Sequence, residues 1–158
     1  MKKWKMFFPV ALVIITITII FSTILNTKDT LEVEEIIVYI SVAEPRAYFV
    51  VHITPDRKLI HQEFFSGDID PDDPERNLIK STEKILSEEE YNQFVDAISK
   101  NSFMTLPEKI NAKNITDGES IKMEVKANGT SHSVGGYMPQ YANKRFNRIY
   151  EQFRNLID

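Results

Sequence analysis

The chain has 158 residues, enough for one globular domain but not for two independent cores. It carries 19 Lys+Arg against 23 Asp+Glu, a formal net charge of −4, and no cysteine. Disulfide cross-links and a cysteine-linked lipid are therefore excluded, and the acidic balance is a poor match to nucleic acid.

Residues 1–5 form a short basic tail holding Lys2, Lys3 and Lys5. From Met6 to Leu25 (MFFPVALVIITITIIFSTIL) no residue is charged. At 1.5 Å rise, a helix of that length spans roughly 30 Å, the thickness of a bilayer's hydrocarbon layer. Thr16, Thr18, Ser22 and Thr23 interrupt the run only mildly, since hydroxyls bond back to carbonyls one turn earlier. Pro9 falls in the first turn, where a missing N–H costs little. The expectation is a transmembrane helix over 6–25. The run is long and rich in β-branched residues, and it exits through Ile24-Leu25-Asn26-Thr27-Lys28 with no small-residue cleavage site. That pattern favours a retained signal anchor over a cleaved signal peptide. Positive charge stays in the cytoplasm, so the N-terminus is expected inside and the rest of the chain outside the cell membrane. Trp4, Phe7 and Phe8 stand where interfacial aromatics are expected. Lys2, Lys3 and Lys5 are three of the 19 basic residues and no acidic residue precedes Asn26, so the remainder carries 16 against 23, or −7.

Residues 26–32 read as a linker and 33–158 as an extracytoplasmic domain. Val33–Val42 is β-branched and ends at Ala43-Glu44-Pro45, the pattern of a strand. Residues 46–54 and 59–66 follow as two more, joined by the turn residues Pro55-Asp56-Arg57-Lys58. Pairing Ile53 with Ile60 and Phe49 with Phe64 keeps one face apolar and sets His52 across from His61. The pairing one residue along, Ile53 with Leu59 and Phe49 with Glu63, mixes the faces. Residues 67–75 (GDIDPDDPE) make an acidic loop, and 77–85 reads either as a further edge strand or as irregular chain. Ser87-Glu88-Glu89-Glu90 is a capping box opening a helix to about Lys100, with Tyr91, Phe94, Val95 and Ile98 as its apolar stripe. Asn101 is a stop, and Phe103, Met104 and Leu106 are expected to fold back onto the core.

Ile121, Met123, Val125 and Ala127 alternate with Lys122, Glu124 and Lys126 before the turn Asn128-Gly129, the strongest local hairpin signature in the chain. Thr130, His132 and Val134 return on the apolar face, and Gly135-Gly136 with Pro139 are expected to break that strand. Residues 141–157 then read as an amphipathic helix with Phe146, Ile149, Tyr150, Phe153, Leu156 and Ile157 inward. The order β-β-β-(β)-α-β-β-α implies an α+β domain, an antiparallel sheet of four to six strands with two helices on one face.

No Gly-x-Ser-x-Gly elbow, phosphate-cradling loop or cysteine nucleophile is present, so no catalytic residue is assigned. Two metal readings arise. His52 and His61, if opposite one another, have Cβ atoms ~5 Å apart and suit zinc. Asp68, Asp70 and Asp72, with Asp73 and Glu75, share the opening spacing of a calcium loop. The match to an EF-hand stops there, because its sixth and twelfth positions are Asp73 and Ile79 in place of Gly and Glu. Against each stands a plainer reading: two half-exposed histidines, and a solvated acidic loop. His132 on the apolar face reads as a satisfied core histidine. Lys144, Arg145, Arg148 and Arg154 give the last helix a basic face. Tyr137, Met138 and Tyr141, beside Pro139, form a candidate aromatic binding patch. Asn114-Ile115-Thr116 and Asn128-Gly129-Thr130 match the glycosylation sequon, the second being better explained by its turn.

The layout of apolar lead, hairpin, capped helix, Asn-Gly hairpin and final helix resembles the small membrane-anchored or lipoprotein α+β domains of bacterial envelopes. The resemblance is one of pattern over most of the chain and carries no site residue with it. It implies an envelope location. The leading expectation is a non-enzymatic module binding an envelope protein or peptide. The alternatives are a metal-dependent hydrolase using His52 and His61, or a cation-responsive sensor using the 68–75 loop.

Overall fold

Period-two alternation of buried with half-buried or exposed side chains is plainest in the first and fifth of the six strands among the described residues. In the computed structural model, which describes residues 31–42, 47–65 and 77–158, the six are β1 (Val33–Val42), β2 (Ala47–Ile53), β3 (Lys58–Phe65), β4 (Leu78–Ile85), β5 (Glu119–Ala127) and β6 (Thr130–Tyr137). They form one sheet in the order β4-β3-β2-β1-β5-β6, and every neighbouring pair is antiparallel. The expected transmembrane helix over 6–25 and the acidic loop lie outside the described residues. Among the described residues no helix is long and apolar enough to cross a membrane.

Helix α1 (Glu88–Lys100) starts where its capping box dictates: the Ser87 N–H donates to Glu90 Oε2 at 2.7 Å, and the Glu90 N–H to Ser87 Oγ at 3.2 Å. A 3-10 turn over Phe103–Thr105 follows, and its Phe103 is fully buried. The last helical region is split. A four-residue α2 (Pro139–Ala142) precedes α3 (Lys144–Ile157), whose N-cap Asn143 accepts from the N–H groups of Arg145 and Phe146. Phe94 and Ile98 of α1 join Phe146, Ile149 and Phe153 of α3 over one sheet face, where Ile36, Val38, Val51, Ile53, Ile121, Met123 and Val125 share the same core. The Phe94 and Phe153 rings, 6.2 Å apart, lock the two helices together.

The β2–β3 register differs from the expected one. Ile53 pairs with Leu59, Phe49 with Glu63, His52 with Ile60 and Val51 with His61. The turn is the cause. The Arg57 N–H donates to Thr54 O at 2.9 Å, and Arg57 itself adopts φ 68°, so Pro55-Asp56 is a tight turn followed by a left-handed residue. This loop has three residues rather than four, and Thr54 meets Lys58 instead of Leu59. Glycine usually fills the left-handed position, and an arginine there leaves no signal in the sequence.

Gly135 and Gly136 do not break β6; both lie within it. A Cβ on Gly135 would crowd Ile121 O of β5 at 2.8 Å, and Gly136 is needed because residues 108–112 run along the outer side of β6. Ile110 N–H donates to Gly135 O and Gly135 N–H to Glu108 O, each at 2.9 Å, and Ala112 N–H donates to Tyr137 O at 2.8 Å. A Cβ on Gly136, whose φ is 151°, would stand 2.1 Å from the Ile110 carbonyl oxygen. At the opposite end of the hairpin, a bulge in β1 at Glu34 turns that carboxylate onto the Asn128-Gly129 turn. The Gly129 N–H donates to Glu34 Oε1 at 2.6 Å, and Lys126 Nζ pairs with Oε2 at 2.8 Å.

Candidate functional site

With that register, His52 and His61 project from opposite faces of the sheet and cannot share a metal. His52 is on the face away from the helices, its Nε2 2.8 Å from Glu35 Oε1, an ion-pair distance without hydrogen-bond alignment. His61 is on the helix side against the Phe49 ring, 5.8 Å between centroids. Burial pushes its pKa down, Glu63 pulls it back up, and Lys80 adds to the lowering. The zinc pairing is therefore corrected by a one-residue shift. Among the described residues no three His, Asp or Glu side chains gather as a metal site. Asp68, Asp70 and Asp72 lie outside those residues.

The patch expected at Tyr137, Met138 and Tyr141 is only partly assembled. The Tyr137 hydroxyl donates to Thr116 O at 2.9 Å, and Met138, at φ 48°, turns its sulfur to the Glu119 N–H at 3.1 Å. These two side chains, with Val42, Thr116, Gly118 and Glu119, line a recess of about 610 Å³. Tyr141 stands apart and is 70% exposed. Behind the recess, Glu119 accepts from the Tyr150 hydroxyl at 2.7 Å and from Gln140 at 3.1 Å. Burial, and then Glu119, raise the Tyr150 phenol far above its ordinary value.

Other candidates have structural partners. His132 Nε2 is 2.8 Å from Leu106 O, which fixes the proton on that nitrogen, and its ring meets Phe103 edge-on. Arg145 donates to the carbonyls of Asn101 and Ser102 and to Thr105 Oγ1, so it closes the end of α1. Arg154 pairs with Asp158. Half of the basic face of α3 is thus engaged within the domain.

The surface that the sequence reading missed is the sheet face away from α1 and α3. Tyr39 of β1, Tyr48 of β2 and Phe64 of β3 form a row across three strands, with centroids 6.2 and 6.3 Å apart. Lys122 Nζ lies 5.4 Å over the Tyr39 ring, while the same ammonium pairs with Glu124. Tyr39, Ser41, Tyr48, Ser120 and Lys122 border a recess of about 430 Å³. Burial, reinforced by Tyr39 and Glu124, pushes the Tyr48 phenol up to about 12. The rest of that face is charged: Glu35 with His52, and Glu124 with Lys122. The signal was present as alternation (Tyr39 with Ser41, Tyr48 with Val50 and His52), but the shifted register hid that it formed one surface. Compared with known proteins, the chain matches no family model and no curated protein.

Proposed function

We propose that this chain is a single-pass membrane protein whose C-terminal domain lies outside the cell and binds an envelope protein or peptide without catalysing a reaction. The observation that carries the binding reading is the half-exposed pair Tyr39 and Tyr48, backed by the buried Phe64 ring and set in a sheet face over which neither α1 nor α3 lies. Flat aromatic side chains offer contact area at little conformational cost, and the flanking Lys122, Ser41 and Ser120 supply polar groups that orient a partner. The membrane reading is supported by the uncharged run 6–25 and the three lysines ahead of it.

Because the chain has no cysteine, single cysteines are clean reporters. In intact cells a membrane-impermeant maleimide is expected to label Lys113→Cys and to reach Lys3→Cys only after lysis. Labelling of both, or of neither, before lysis removes the proposed topology. A photo-crosslinking side chain at Tyr48 is expected to give a discrete adduct that the same group at exposed Asn92 does not. Identical adduct patterns at the two positions remove this sheet face as the binding surface.

A further inference from the structure

The two edges of the sheet end differently. Beyond β6, residues 108–112 occupy the outward backbone groups of Gly135 and Tyr137. Beyond β4 nothing comparable lies among the described residues, and seven of its eight residues are exposed. The Leu86 N–H donates to Arg57 O at 2.9 Å, which sets the phase of the β3–β4 ladder. Alternation then turns Lys80, Thr82 and Lys84 toward β3 and leaves the N–H and C=O of Ser81, Glu83 and Ile85 pointing off the sheet. An edge of that length is a template for another strand.

We propose that the β4 edge accepts an extended acidic segment of another protein as a seventh, antiparallel strand. Charge selects the occupant. Lys80 and Lys84 stand on the helix-side face, four residues apart, and neither makes an ion pair among the described residues. Glu83 on the other face is already matched by Lys58 at 2.9 Å. Residues facing Lys80 and Lys84 in an added strand fall in non-hydrogen-bonded pairs, where Cα atoms approach to ~4.5 Å and side chains interact best. Two carboxylates four residues apart therefore complete the edge, and Ile85, 66% exposed on the opposite face, takes an apolar neighbour.

A second copy of the chain is a poorer occupant. Antiparallel self-pairing about a two-fold axis must oppose residues of like face. Placing Ser81 against Glu83 of the other copy sets Lys80 against Lys84 twice. Moving one step sets Glu83 against Glu83, and moving the other way sets Glu83 against the bulged Ile79. Each register opposes like charges or breaks the ladder.

The test is amide hydrogen exchange on the full chain with a capped peptide, Thr-Val-Glu-Val-Thr-Val-Glu-Val-Thr, and its counterpart with Lys in place of both Glu. The acidic peptide is expected to slow exchange at Ser81, Glu83 and Ile85 at least tenfold and the basic one to leave it unchanged. Lys80→Glu with Lys84→Glu is expected to reverse that preference. Ser81→Pro removes an outward donor and is expected to abolish the protection, while the amides of Thr82 and Lys84 report that the inner ladder survives. Three results overturn the proposal: the edge amides are protected without peptide, neither peptide protects them, or both do so equally. None of these bears on cysteine labelling or on Tyr48 crosslinking, so the two readings fail separately.

Discussion

Gly136→Ala tests how closely the 108–112 segment must lie against β6. The added Cβ would fall 2.1 Å from Ile110 O and 2.5 Å from Asn111 Oδ1, well inside van der Waals contact. Either the segment withdraws or β6 distorts. Withdrawal releases three backbone hydrogen bonds, at Gly135 twice and Tyr137 once, together with the 2.8 Å bond from the Tyr137 N–H to Asn111 Oδ1. At a net ~1 kcal/mol each, that is about 4 kcal/mol. Retention instead keeps the clash and an alanine at φ 151°, a conformation costing ~1–3 kcal/mol before any contact is counted. The expected loss is about 3–5 kcal/mol, or roughly 10–20 °C in Tm for a domain of this size. Gly129→Ala is the control. Gly129 has φ 73° but nothing within 4 Å of its Cβ position, so only the left-handed cost of ~1–2 kcal/mol applies. Urea denaturation of both variants, with exchange rates at Ile110 and Ala112, measures the difference. If Gly136→Ala costs no more than Gly129→Ala and both amides stay protected, the close backbone approach is refuted.

Two further outcomes follow from the packing and the charge tie. Phe153→Ala removes a fully buried ring that touches both Phe94 and Tyr150, and is expected to cost ~3–5 kcal/mol in the same assay; a loss below ~1 kcal/mol would deny α3 its place in the core. Lys126, and then the Gly129 N–H, hold the Glu34 carboxyl below its ordinary value. A lowered folded pKa contributes stability that is full above the ordinary carboxylate range and is lost as pH falls through the lowered value. Glu34→Gln should therefore narrow the stability gap between neutral and acid pH, and an unchanged pH profile would sever the tie between bulge and turn.

Local chemistry carried the strands and helices because each has its own signal. The capping box at Ser87 and Glu90, the Asn128-Gly129 turn and the alternation of β5 all act within a few residues. The site was far less legible. Whether His52 faces His61 depends on whether Arg57 adopts a left-handed conformation, and an arginine gives no notice of it. Both faces of β2 and β3 are partly apolar: Val51, Ile53 and Leu59 face the helices, and Tyr48, Val50 and Phe64 face away. Seeking one apolar face therefore chose the wrong pairing. The glycines of β6 were read as a break because the segment that Gly136 accommodates, 108–112, lies some 25 residues earlier and has no strand pattern of its own.

The strand order also bears on how the chain is made. β1 leads the domain yet lies in the interior of the sheet, paired on one side with β2 and on the other with β5, whose first residue follows the end of β1 by more than seventy positions. A nascent chain can close β1 through β4 as a meander, but the second side of β1 stays bare until Glu119–Ala127 has emerged. Glu34 and Glu32 then meet Gly129 and Asn128, respectively, across sequence gaps of 95 and 96 residues. Pairings so distant close slowly. Until then the growing polypeptide carries a long apolar strand with an unpaired side, and a truncation before residue 119 would make that exposure permanent.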